Sequence, residues 1–448
     1  MRRFVTGKVA TVLTPSRLRT LQTIATAFSI TLLGMLSTIL VSRSLGPEGR
    51  GSLAAALLWP VLLVYLSQSG FFSSFLYYGA RTEISGGRLV GLALVSSAVG
   101  ALLFIPLGFI VMPYLLRGQT SDTIHLSQMY LAVIPILTFT EYLSALLNAR
   151  AKFTWWNILQ LVTPAGYFIG SLVMVVISGI TVERIILLHL SLNVIRMILT
   201  FLVVIGSGFG LTLRLNRDII AQVTSYGLKA HAGSISNLAN SQLDQVAMAA
   251  FLSPTSLGYY AVGSNTARII LTIPLAMRSL MAPQVSSQAS SSGGVRIVAR
   301  YVSTYWGMSI VAFPLVAAAI YFGIPLLYGG EFRNAIPVSG VLLIGSLLLG
   351  GKEIIGAGAR ALGQPWLSSK AEIVGLLCTA LALAVLLPTL GLMGAAISSV
   401  IAYTAALLFV STGFSTHFGV SGSTLARPRL VNPKKLLASG PFRLGSPK

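Results

Sequence analysis

Six ionisable side chains, Glu141, Arg196, Asp244, Arg268, Lys352 and Glu353, fall within stretches that are otherwise almost wholly apolar. A charge held in hydrocarbon costs about 2.5–3.5 kcal/mol on insertion scales, so each needs a water-lined cavity or an opposite charge. The cations Arg268, Arg196 and Lys352 are candidates for contacting an anionic substrate, because they can offset a charge that lipid rejects. The carboxylates Asp244, Glu141 and Glu353 are candidates for coupling or gating, and Glu141 and Glu353 occupy nearly matching places in the two halves of the chain. A structural alternative stands beside each. Asp244 and Arg268 lie on neighbouring antiparallel runs at similar depth, close enough for a plain ion pair. Glu141 and Glu353 could serve only as inter-helix hydrogen-bond acceptors. Lys229, Arg278 and Arg81 lie near run ends, where long side chains reach the interface.

Other chemistries are excluded at the motif level. No Gly-rich loop ends in Lys-Ser or Lys-Thr, so P-loop nucleotide hydrolysis is not expected. No His-Glu-x-x-His occurs, and His125, His189, His231 and His417 are scattered. The single cysteine, Cys378, lies inside an apolar run, which excludes an intrachain disulfide or a cysteine metal cluster. The sequence therefore assigns no catalytic residue, no metal ligand and no cofactor.

The elements that position these charges are membrane spans. Hydrophobic residues make up 54% of the 448 and charged residues 9%, against about 25% charged in soluble domains; the mean hydropathy is +0.83. Runs long enough to cross a bilayer fall at 21–42, 52–79, 89–115, 126–149, 154–179 and 184–208, then at 225–251, 256–282, 301–328, 335–359, 367–389 and 392–414. The fold class expected is all-α, a polytopic membrane protein of about twelve transmembrane helices in two six-helix lobes. Pro60, Pro135, Pro164, Pro274 and Pro314 fall within spans and are expected to kink them.

The net charge of +21 comes from 31 Lys and Arg against 10 Asp and Glu. Most of the basic residues fall between spans on one side, which puts both termini in the cytoplasm of a multi-pass protein of the inner (plasma) membrane. With no basic stripe interleaved with aromatics, nucleic acid is not an expected partner; membrane lipids are. The organisation expected is a basic cytoplasmic N-terminus (1–20), a first lobe (21–208), a cytoplasmic linker (209–224), a second lobe (225–414) and a basic disordered cytoplasmic tail (415–448).

The halves also repeat in sequence. Leu45-Gly46-Pro47-Glu48-Gly49-Arg50-Gly51 follows the first span, and Leu252-Ser253-Pro254-Thr255-Ser256-Leu257-Gly258 follows the seventh. Ala149-Arg150-Ala151 with Trp156 closes the fourth span, and Ala359-Arg360-Ala361 with Trp366 closes the tenth, at nearly the same separation. A shift of six spans preserves orientation, so a pseudo-two-fold along the membrane normal should relate the lobes, with substrate held between them.

Ser42-Arg43-Ser44-Leu45-Gly46-Pro47-Glu48-Gly49-Arg50-Gly51 resembles the SRxLGPxxxG stretch of polysaccharide biosynthesis exporters. Gln242-Leu243-Asp244-Gln245 with Leu257-Gly258-Tyr259-Tyr260-Ala261-Val262 is similar to the same family's seventh-to-eighth span region. These are the Wzx-type O-antigen and exopolysaccharide flippases, in the superfamily that also holds lipid II flippases and MATE-type multidrug exporters. The resemblance covers about residues 17–415. It implies two six-helix lobes around a V-shaped cavity, and alternating-access transfer of an undecaprenyl-diphosphate-linked oligosaccharide from inner to outer leaflet. It also implies a substrate-cavity role for Asp244 and Arg268, and polysaccharide polymerase or glycosyltransferase neighbours as partners. A cation-coupled drug or metabolite antiporter of the same fold is the close alternative. A membrane polymerase or ligase is a more distant one, since the outer loops are short.

Overall fold

The computed structural model describes residues 15–429 apart from 69, 82, 178 and 289. The first half holds α1 (Pro15–Gln68), α2 (Phe71–Arg81), α3 (Gly86–Leu115), α4 (Ser121–Tyr130), α5 (Val133–Ala149), α6 (Phe153–Ile177) and α7 (Val182–Gly206). The second holds α8 (Arg217–Phe251), α9 (Pro254–Ala267), α10 (Thr272–Ser286), α11 (Ser291–Gly323), α12 (Ala335–Ala361), α13 (Pro365–Phe418) and α14 (Gly422–Ala426). No strand occurs among the described residues. Nine helical stretches among them are long and apolar enough to cross a bilayer, as expected of a multi-pass membrane protein.

Two of those stretches are pairs of helices. A straight helix of α1's 54 residues would run roughly 80 Å, more than twice the hydrocarbon thickness. The chain reverses instead at Gly46, whose φ of 69° and ψ of −179° break the helix in one residue. Pro47 follows, its fixed φ suited to a first helical turn. Gly391, with φ 53°, divides α13 in the same way. The second span therefore starts directly after Gly46. Residues 47–51, expected in a loop between spans, are helical, and Arg50 enters the membrane-spanning region.

Of the prolines expected to kink spans, two coincide with breaks. Pro135 cannot donate to Leu131, and helices α4 and α5 part at 131–132. Pro274 cannot donate to Ile270, and a 3-10 turn, Arg268–Leu271, separates α9 from α10. Pro60, Pro164 and Pro314 lie inside continuous helix.

The ends differ from expectation. Helix α1 begins at Pro15, inside the stretch read as a basic N-terminus, and α8 begins at Arg217, inside the expected linker. Residues 415–429, read as the start of a disordered tail, are ordered. Helix α13 continues to Phe418, where left-handed Gly419 caps it, and the segment beyond packs on α11. There Ser303 donates to the Thr424 carbonyl at 3.1 Å, and the Arg429 amide donates to the Ser303 carbonyl at 2.9 Å. Leu425, 3% exposed, supplies the apolar contact that a purely solvated tail would lack. The rest of the expected tail, with Lys434, Lys435, Arg443 and Lys448, lies outside the described residues, as do Arg2, Arg3 and Lys8.

Three buried clusters form the core. One joins the halves, bringing Leu53, Met112, Tyr130 and Ile185 together with Met248, Leu257, Phe332 and Leu342. A second gathers Phe75, Tyr142, Leu146 and Val204 of the first half around Val223 of α8, and the third, Met281, Val302, Ile355 and Phe414, stays within the second half. Apolar burial thus joins the halves at the end that carries the Gly46 kink and the α8–α9 turn, and the start of α8 also packs on α2, where Ser74 donates to the Val223 carbonyl at 2.8 Å.

Candidate functional site

At the fused end the two sequence repeats meet each other. A Cβ on Gly51 would run into the carbonyl oxygen of Pro254, and a Cβ on Gly258 would run into that of Pro47. The contact is reciprocal, so the repeated Pro and Gly positions pack with backbone against backbone. Glycine is required here because any side chain would occupy the space of the opposite chain. Further contacts surround it. Gln119 donates through Nε2 to the carbonyls of Ala249 and Leu252, both at 3.0 Å. Arg43 donates to the Leu326 carbonyl at 3.2 Å, and the Arg117 guanidinium lies 4.4 Å over the Phe251 ring.

Beneath this seal, between the halves, is a cavity of about 230 Å³ lined by Arg50 and Tyr65 from α1, Gln242 and Gln245 from α8, and Asn265 from α9. No carboxylate lines it. The Arg50 Nε is buried and has no hydrogen-bond partner, and no ion pair reaches Arg50 among the described residues. A second cavity of about 460 Å³, apolar and lined by Met35, Ile39, Ile269, Val316 and Ile320, also touches Asn265. The cavity that holds Arg50, walled also by Leu57, Leu58, Val61 and Leu62, and the apolar crevice therefore share Asn265.

The charges singled out in the sequence are distributed otherwise. Arg196 on α7, 7% exposed, reaches Glu141 on α5 at 2.9 Å and Gln160 on α6 at 3.2 Å, so these groups neutralise one another inside the first half. Lys352 on α12, 2% exposed, contacts Glu372 on α13 and, at 3.1 Å, Glu353; Glu353 in turn accepts from Arg278 on α10 at 2.7 Å. Arg278, read as reaching the interface, instead completes this network. Neither Arg196 nor Lys352 lines the two cavities between the halves. The reason is electrostatic: at membrane depth a neighbouring carboxylate offsets a cation better than a dilute aqueous path does.

Asp244 and Arg268 do not form the ion pair considered from their depth. Among the described residues no salt bridge joins them. Instead Tyr260 donates to Asp244 Oδ2, the Gln245 amide donates to Oδ1 at 2.8 Å, and Ser399 lies 3.4 Å from the same phenol. Arg268 is half-buried at the 3-10 break, near enough to act electrostatically on Asp244 and Tyr403. Reading by spans missed Arg50, which it assigned to a loop. The signal was present in the Gly-Pro pair that lets a helix restart immediately.

Comparison with known proteins gives three findings. Residues 40–337 match the model of a family described as polysaccharide biosynthesis protein. The probable low-salt glycan biosynthesis flippase Agl15 of Haloferax volcanii is 22% identical over 197 residues, 43% of this chain and 41% of that one, so the match spans less than half of this curated relative. Among solved structures, the lipid II flippase MurJ in an inward closed conformation superposes with a TM-score of 0.73 at 15% identity, covering 91% of both chains. An inward-facing multidrug resistance MATE transporter of the MOP superfamily does so with a TM-score of 0.65 at 17% identity, covering 89% of this chain and 96% of that one. These likenesses establish the fold that MurJ and MATE transporters share.

Proposed function

The chain belongs to the polysaccharide biosynthesis protein family, and from that premise we propose that it is a flippase for an undecaprenyl-diphosphate-linked oligosaccharide. It carries no catalytic chemistry of its own. In this reading α1 to α13 make twelve spans in two lobes, with both termini in the cytoplasm and the Gly51–Gly258 contact on the outer side. The cavity at Arg50 then loads from the inner leaflet, and rocking of the lobes about the seal exposes it outward.

The observation that carries the reading is the unpartnered guanidinium of Arg50, in a chamber without carboxylates and beside an apolar crevice. A diphosphate requires cations and hydrogen-bond donors at depth; Arg50, Gln242, Gln245 and Asn265 supply them. A prenyl chain requires an apolar exit, which the wall of Met35, Ile39 and Ile320 supplies. Arg268, at the start of the 3-10 turn just beyond Asn265, lines neither cavity; in this reading it is the second cation that substrate meets as the lobes move. Asp244, held by Tyr260, supports a second reading, in which a buried carboxylate couples cation entry to export of a small molecule.

Purified protein in liposomes separates the two. Loaded with a fluorescent prenyl-diphosphate oligosaccharide, it is expected to move label to the opposite leaflet. Arg50→Gln and Arg268→Ala should each lower the rate at least ten-fold, since a charge-assisted hydrogen bond is worth about 1.5–3 kcal/mol. Arg268→Lys, which keeps the charge, should retain much of it. Drug-dependent proton or sodium flux without lipid transfer would overturn this reading in favour of the antiporter.

A further inference from the structure

The second sequence repeat, Ala149-Arg150-Ala151 against Ala359-Arg360-Ala361, plays no part in the inter-lobe cavities, and its two copies behave differently. In the second half Arg360 donates through Nη1 to Ser368, 4% exposed, and is spent inside its own lobe. The position matching Ser368 in the first half is Ile158, which has no acceptor and is 46% exposed. Arg150 therefore turns elsewhere. Its Nε donates to the Gly79 carbonyl at 2.9 Å and its guanidinium stands 5.3 Å from the Phe209 ring. That leaves the two terminal nitrogens without a hydrogen bond or ion pair among the described residues.

They face a cavity of about 240 Å³ lined by Gly86, Arg150, Lys152, Ser207, Gly208 and Phe209. Its floor is the chain after α7, seated on the start of α3: the Thr212 amide donates to the Gly87 carbonyl at 2.9 Å, and Gly86 has no Cβ to displace Phe209. Lys152 reaches the same space because the turn after α5 passes through Ala151 at φ 55°, a left-handed conformation unusual for alanine. No carboxylate lines the cavity, and the nearby Glu83 is engaged by Arg81 at 3.7 Å.

We propose that Arg150 and Lys152, with the Ser207 hydroxyl and the chain behind it, form a binding site for a phosphate group at the end of the first lobe opposite the Gly51–Gly258 seal. A guanidinium and an ammonium converging on a polar hollow suit a tetrahedral anion, and basic pockets at the inner surface of membrane proteins take anionic headgroups. Its placement at the inner surface rests on the orientation proposed above; the site itself does not depend on the transport reading. The phosphate belongs either to an anionic lipid or to a soluble compound.

The test measures binding, not transport. Full-length protein in detergent is titrated with phosphatidic acid and with phosphatidylcholine by native mass spectrometry, and with inorganic pyrophosphate by thermal shift. Wild-type protein should prefer phosphatidic acid to phosphatidylcholine or be stabilised by pyrophosphate; the first result assigns a lipid source and the second a soluble one. Arg150→Gln with Lys152→Gln should weaken that binding at least ten-fold. Lys152→Gln alone, an exposed residue whose loss leaves folding intact, should weaken it several-fold. The charge-matched control Arg214→Gln with Arg217→Gln should leave it unchanged. Equal binding by the double variant, or an equal loss in the control, would overturn the site.

Discussion

Gly51→Ala is expected to shift the protein toward the state open on the sealed side, and Gly258→Ala to do the same. Each adds one methyl group where the opposite backbone already stands: Pro254 O for Gly51 and Pro47 O for Gly258. No side chain can rotate away to make room, because the obstacle is main chain. Overpacking of this kind costs about 1–3 kcal/mol or more, and a bias of that size moves a two-state equilibrium about 5–150-fold. The effect is a population shift and not unfolding if the two halves can part there, and the two buried clusters away from that contact would survive such parting. The measurement uses a Cys378→Ser background with a cysteine at position 265, where the two cavities meet. Labelling by a membrane-impermeant maleimide from the outside should rise about five-fold or more in either glycine variant. Gly206→Ala, with open space around its Cα, should leave labelling unchanged. Unaltered labelling in both glycine variants, with protein folded and in the membrane, would make the contact a fixed scaffold and remove it from any transport cycle.

The internal repeat behind that prediction is legible in the sequence. One short match makes Pro47 equivalent to Pro254 and Gly51 to Gly258, and the fold puts those four residues in reciprocal contact. The all-helical membrane architecture was legible too, because runs such as 89–115 and 154–179 are long and apolar enough to define themselves. Breaks at Pro135 and Pro274 followed from a missing donor, a property of the residue itself. What failed depended on geometry that hydropathy does not carry. A single residue with positive φ, Gly46, decided whether Arg50 stood in a loop or in a cavity wall. Rotation of α5, α7 and α12 about their own axes decided whether Arg196 and Lys352 met water or a carboxylate. Averaged apolarity records that a charge at depth must be accommodated; it is silent on which helix faces it.

Lys352→Ala is expected to be the most destabilising single change among the in-span charges. The ammonium lies between Glu372 and Glu353, and among the described residues Arg278 pairs with Glu353. Removing it leaves two carboxylates on α12 and α13 with one fewer cation, in a site where water scarcely enters. Breaking a buried pair in this way costs about 3–5 kcal/mol. In detergent the variant should unfold well below the wild-type temperature, and its yield in the membrane should fall. Replacing both sides together, Lys352→Met with Glu372→Gln, removes a carboxylate charge along with the cation and should recover most of the loss. The comparison assigns a role to the network. If lipid transfer per folded molecule survives in the double variant, these charges lock α10, α12 and α13 into one rigid lobe, and Arg50 and Arg268 remain the cations that meet substrate. If the double variant is as stable as wild type yet transfers nothing, Lys352 belongs in the substrate path, and the static pairing with Glu372 is one stage of a cycle in which that ammonium changes partners.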